Sequence, residues 1–193
     1  MGKVRVVIML MVVLFASCNR EAPVIPPLGP DLTAPTLDFP FASFASAVRF
    51  TPFGDSLPNL TLSKGYQVQL SDTNELLLAA CSGIVTSITP DTSGGKFIAV
   101  KFRTNSIYSF LYGGVTNVRV QVSDSLNGGS ILGKINGNGT VYFEIIKDSN
   151  ALCPQSYGSP GFNTAIAGAI ARNNSLYPQD SVSNPCYLQS LPE

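Results

Sequence analysis

Histidine is absent from all 193 residues, and so is tryptophan. The missing histidine is the more informative. It removes the Ser–His and Cys–His nucleophile pairs, the usual general base, and the commonest ligand of catalytic zinc. Charge is sparse and balanced, with 12 Lys+Arg against 12 Asp+Glu. No basic stripe is visible, so nucleic-acid binding has no electrostatic support. Charged helix formers are few, whereas Gly (17) and Pro (14) are plentiful. That balance favours β-structure with many turns.

The N-terminus reads as a targeting signal. Lys3 and Arg5 precede an unbroken apolar run at residues 6–15, then small Ala16 and Ser17, then Cys18. A charged start, a short apolar core and a small-residue cleavage site define a secretory signal. The run is shorter than the roughly 20 apolar residues of a spanning helix. Leu14-Phe15-Ala16-Ser17-Cys18 resembles the bacterial lipobox, with Phe15 where Leu is usual. The resemblance implies cleavage before Cys18 and acyl chains on it. Asn19 at the next position resembles enterobacterial lipoproteins sent to the outer membrane. The alternative is an ordinary cleaved signal with an incidental Cys.

This divides the chain into a signal (1–17), a lipid anchor and linker (18–38), a β domain (39–153) and a tail (154–193). Pro23, Pro26, Pro27, Pro30 and Pro35 make the linker an extended spacer. Residues 39–53 hold five phenylalanines, read as core. Strand signals follow at 60–62, 66–70, 76–80, 83–88, 97–102, 107–111, 118–122 and 141–146. Between them stand turn residues, among them Gly94-Gly95, Gly113-Gly114 and Asn136-Gly137-Asn138-Gly139. Many short strands at close spacing indicate an antiparallel sandwich or barrel. One short helix is expected over 162–172. An oxidising envelope permits one disulfide among Cys81, Cys153 and Cys186. Cys81 lies in an apolar run and reads as a buried small hydrophobe. The favoured pair is Cys153–Cys186, and the alternative is three free thiols.

Residues 60–148 resemble the M23 family of zinc peptidases, the lysostaphin-like murein endopeptidases. Leu77-Leu78-Ala79-Ala80 with Gly83-Ile84-Val85 resembles its V-x-A-x-x-x-G-x-V hairpin, and Phe97-Ile98-Ala99-Val100 its next core strand. Val120-Gln121-Val122-Ser123-Asp124-Ser125-Leu126, then Gly129 and Ile131-Leu132-Gly133, resembles its V-x-V-G-D-x-V-x-x-G-x-x-I-G segment. Gly139-Thr140-Val141-Tyr142-Phe143-Glu144-Ile145 resembles the strand that reads H-L-H-F-E in active members. The implied fold is all-β: a small antiparallel barrel-like sandwich of the duplicated hybrid motif type, with a short C-terminal helix. Active members bind zinc through a His, an Asp four residues later and the second His of H-L-H. The resemblance puts Lys64, Val68 and Tyr142 there, and Thr140 and Phe110 at the other two histidine positions. A catalytic zinc needs about three protein ligands and an open position. These five residues form a degenerate former site, so no metal or cofactor is implied.

Other chemistry is weakly supported. Asp72, Glu75, Asp124 and Glu144 could pair for carboxylate hydrolysis, but nothing in the sequence brings two together. The Asn-rich loops lack calcium-loop spacing. Ser82 lacks a G-x-S-x-G elbow. The hairpin at 120–133 also resembles biotinyl and lipoyl domains, yet Lys96 and Lys134 lack the neighbours of a modified lysine. The expectation is a non-catalytic envelope lipoprotein that binds peptidoglycan or regulates a cell-wall hydrolase. A carboxylate hydrolase in the same cleft and a ligand-free scaffold are the rivals. Mass spectrometry of the mature protein should find Cys18 as an acylated first residue. Unchanged membrane recovery of a Cys18→Ala form would refute the anchor.

Overall fold

The computed structural model describes residues 29–57, 61–92, 94–188 and 190–192. The signal and Cys18 lie outside them. Eleven strands are described: β1 (Ala47–Thr51), β2 (Tyr66–Leu70), β3 (Leu76–Leu78), β4 (Gly83–Pro90), β5 (Lys96–Lys101), β6 (Tyr108–Thr116), β7 (Ser125–Leu126), β8 (Ile131–Ile135), β9 (Thr140–Lys147), β10 (Asn150–Leu152) and β11 (Ser190–Pro192). The main path runs β1-β2-β9-β6-β5-β4-β7, with β8 joining β3 to β6 and β10 joining β11 to β9. Every ladder is antiparallel. The expected all-β architecture with a C-terminal helix is present, but the sheet is not closed into a barrel.

A physical reason for the opening lies at β1. Its outer edge is capped by helix α1 (Pro160–Leu176) instead of by another strand. Buried Asn173 accepts a hydrogen bond from the Phe50 N–H at 3.0 Å. Its amide donates to Asn174 Oδ1 and to the Asp180 carbonyl. The helix starts where Ser159 accepts from the Phe162 N–H and Pro160 occupies the first turn. Phe162, Ile166, Ala169 and Asn173 form its buried stripe, the spacing expected of one helical face. The helix is longer at both ends than the expected 162–172.

Alternation sets the two faces of the sheet. In β9, Val141, Phe143 and Ile145 are fully buried, while Thr140 and Tyr142 are half-buried on the opposite face. Register carries the pattern to its neighbours: Tyr66 and Val68 stand opposite Phe143 and Val141, and Tyr112 and Phe110 opposite Phe143 and Ile145. The Phe143 ring meets Phe41 at 4.9 Å, Tyr112 at 5.1 Å, and Phe110 and Phe162 at 6.3 Å. Phe41, Phe44, Phe50 and Phe53 are buried as expected, and only Phe39 is 44% exposed.

Three segments read otherwise in the sequence. Of 60–62, read as a strand, residue 60 lies outside the described residues, and Leu62 makes only an isolated bridge with Ser56. Gly113-Gly114, read as a turn, lies inside β6. A Cβ on Gly113 would sit 2.5 Å from the Phe97 ring, and one on Gly114 2.1 Å from the Thr140 carbonyl. These glycines permit close approach of neighbours and not a reversal. Residues 118–122, read as a strand, form a loop. Asn117 and Ser123 take φ of 45° and 78°, and left-handed residues at both ends interrupt a ladder. Asp124 closes the loop by accepting from the Gln121 N–H at 2.8 Å.

The later part of the segment read as a tether also packs on the domain. Asp31 N–H donates to the Asn105 carbonyl at 2.7 Å, and Leu37 is fully buried. Among the described residues, no helix is long and apolar enough to cross a membrane.

Cys153 and Cys186 are joined, with Cα atoms 5.8 Å apart and a sequence separation of 33. Cys81 is free and buried, and burial, then the nearby Asp38 charge, pushes its thiol up to about 12. Alkylating reagent at pH 8 should therefore spare Cys81 in the native protein and label it in denaturant. Labelling of the native thiol at the rate of a free peptide would refute its burial. Reducing the disulfide should cost about 3–4 kcal/mol of unfolding free energy, and Asn173→Ala about 1–3 kcal/mol, both read from urea midpoints.

Candidate functional site

The face of the sheet turned away from the core carries the candidate site. Thr140, Tyr142 and Glu144 present from β9, Gln67 and Gln69 from β2, and Gly113 from β6. Gln67 pairs with Tyr142, Gln69 with Thr140, and Gly113 with Tyr142. The Tyr142 hydroxyl donates to Glu144 Oε2 at 2.8 Å, and Glu144 is only 4% exposed. Burial first, then the Glu144 charge and that hydrogen bond, holds the Tyr142 phenol far above the usual range. The Phe97 ring stands edge-on to Tyr142 at 6.3 Å, above Gly113.

The structure brings together two of the five residues assigned to the former site. Thr140 and Tyr142 share this face. Val68 and Phe110 point the other way, fully buried in the core. Phe110 packs against Phe143 and Phe102. Lys64 lies half-buried in the bend before β2. A one-residue slip in a strand moves a side chain to the opposite face. The residue beside Tyr142 is therefore Gln67, and the one against the Thr140 backbone is Gly114. The alternation Tyr66-Gln67-Val68-Gln69-Leu70 carried the signal for this: its polar positions had to face away from the core.

The residues present do not fit zinc. Gln67 offers a neutral amide, Thr140 a hydroxyl, Gly113 nothing, and Tyr142 a phenol already committed to Glu144. Phe97 and Tyr142 occupy the space above Gly113. Among the described residues, no group of three or more His, Cys, Asp or Glu could hold a metal ion. The four carboxylates considered for hydrolysis each have local roles. Asp72 accepts from the Asn74 N–H and Asp124 from the Gln121 N–H, both in turns. Glu75 accepts from the Ser46 hydroxyl, and Glu144 from Tyr142.

Beside Thr140 the same face opens into a cavity of about 590 Å³. Gln67, Gln69 and Thr140 line it from the sheet, Arg49 and Thr51 from β1, and Asp180 and Tyr187 from the tail. Arg49 pairs with Asp180 at 2.9 Å and lies over the Tyr177 ring at 5.3 Å. Both partners are more than half exposed, so this pair adds under about 1 kcal/mol.

No protein-family model matches the sequence, and no curated protein matches it. Solved structures do. Csd3 of Helicobacter pylori aligns with a TM-score of 0.53 at 17% identity, covering 65% of this chain and 34% of that one. A zinc-containing peptidase of Vibrio cholerae aligns at 0.51 and 10% identity, covering 64% and 40%. Lysostaphin aligns at 0.50 and 16% identity, covering 65% and 54%. The chain thus spans roughly a third to a half of these proteins. At such identities the likeness concerns the fold. That fold is the one of the M23, lysostaphin-like peptidase domains. Within it, this chain carries an amide, a hydroxyl and a tethered phenol on the face described above.

Zinc in tenfold excess should leave the thermal midpoint unchanged, because a ligand stabilises only what it binds. A chelator-reversible rise of several degrees would overturn the misfit.

Proposed function

We propose that the protein is a lipid-anchored, non-catalytic binding domain of the bacterial cell envelope, with peptidoglycan as its ligand. One observation carries the reading: the site face keeps an open cavity while its central residues, Gln67, Gly113, Thr140 and Tyr142, lack metal-binding or acid–base chemistry. The core alternation and the close-approach glycines support the same scaffold, so fold and chemistry have parted company. Cys18 and the signal before it supply the anchor, and Asn19 favours the outer membrane. No nucleic acid and no cofactor enter this reading.

A second reading has its own support. One structure of the same fold is of the SpoIIQ–SpoIIIAH pore-forming complex, aligned at a TM-score of 0.50 and 21% identity. A domain of this fold can therefore serve in an assembly of two proteins, and docking onto a cell-wall hydrolase is the corresponding role here.

Sedimentation with purified sacculi, run beside a murein zymogram, tests both. The expected outcome is co-sedimentation without clearing. Clearing would sink the non-catalytic reading. Failure to sediment would leave docking on a hydrolase as the surviving role.

A further inference from the structure

The 590 Å³ cavity beside Thr140 falls within the usual range for small-ligand sites. Its polar groups define the ligand it suits. Arg49, the cation, is already paired with Asp180, and Asp55 adds a second carboxylate to the wall. The lining therefore offers no free positive charge to a peptide carboxylate or a phosphodiester. What remains is neutral. Gln67 and Gln69 stand two residues apart on one strand, about 7 Å along it, and both line the cavity. Each amide is donor and acceptor at once, and neither has a hydrogen-bond partner among the described residues. Thr51 and Thr140 add hydroxyls. At the rim, the Tyr187 ring is 45% exposed, an amphipathic surface suited to the apolar C–H face of a ring-shaped polar ligand.

We propose that this cavity is a saccharide subsite taking an uncharged N-acetylated sugar. Paired amides and hydroxyls match the hydroxyl and acetamido groups of such a sugar, and Tyr187 covers its C–H face. The proposal deepens the peptidoglycan reading and rests on it. It assigns recognition to the glycan strand and not to the peptide stems. It also gives the tail a role, since Asp180 and Tyr187 complete a wall that the sheet alone does not have.

Calorimetric titration of the full chain in detergent micelles tests it. The probes are a β-1,4-linked N-acetylglucosamine tetramer, a free stem pentapeptide and, by sedimentation, intact sacculi. The tetramer should bind and the pentapeptide should not. Gln67→Ala and Gln69→Ala should each weaken tetramer binding about three- to tenfold, the scale of one or two lost hydrogen bonds. Tyr187→Ala, at an exposed rim position, should weaken it without changing the thermal midpoint. Sacculi and pentapeptide binding without tetramer binding would overturn the subsite and leave the peptidoglycan reading standing. Absence of binding to tetramer and sacculi alike would overturn both. Tetramer binding indifferent to all three substitutions would place the sugar elsewhere and overturn the subsite.

Discussion

The ring of Phe143 is the point on which the rest of the structure depends. It sits on the central strand and meets four rings from three other segments: Phe41 before β1, Phe110 and Tyr112 on β6, and Phe162 on α1. Truncating a buried Phe costs about 3–5 kcal/mol in a typical core, and here the loss would loosen sheet, helix and N-terminal segment together. The backbone is as constrained as the ring. A Cβ at Gly65 would sit 2.3 Å from the Phe143 carbonyl, so only glycine lets the chain enter β2 at this distance.

Much of this was legible from the sequence. Strands with β-branched residues and strict alternation, such as 66–70, 97–102 and 141–146, lie within a residue or two of the observed elements. The aromatic cluster at 39–53 reads as core because five large rings in a poorly charged segment have nowhere else to go. Other features depend on contacts that a linear pattern does not carry. Gly113-Gly114 reads as a turn by composition, and only the crossing of Phe97 and the Thr140 carbonyl explains why both glycines lie within a strand. The segment 118–122 alternates like a strand, but Asn117 and Ser123 take left-handed backbone at its two ends, and the Ser123 N–H donates to the Val85 carbonyl. For the site, motif spacing did not carry the facing of each residue: Val68 and Phe110 lie in the core, while Thr140 and Tyr142 lie on the opposite face.

The period of two in a strand also explains how such a site can change while its scaffold stays. Val141, Phe143 and Ile145 are held in the core, whereas Thr140 and Tyr142, which alternate with them, face away from it. A substitution at the outward positions alters what the face can bind with little effect on the core. Here that face is partly self-satisfied, with Tyr142 turned onto Glu144 and Phe97 laid against it. The open part of the surface lies to the side, toward β1 and the tail.

The Cys153–Cys186 link makes one wall of that surface sensitive to redox state. The tail reaches the cavity between two ties: Asn174, which exchanges hydrogen bonds with Val182 at 2.7 and 2.8 Å, and Cys186, whose neighbours Pro185 and Tyr187 bond to the Phe53 backbone. Before the thiols join, the second tie must hold its loop against chain entropy by a few backbone bonds alone. The disulfide adds a covalent tie beside these bonds and the β10–β11 pairing. With the thiols reduced, Tyr187 keeps its backbone bond to Phe53 but loses the covalent tie next to it, so this wall of the cavity is the part of the surface most sensitive to reduction.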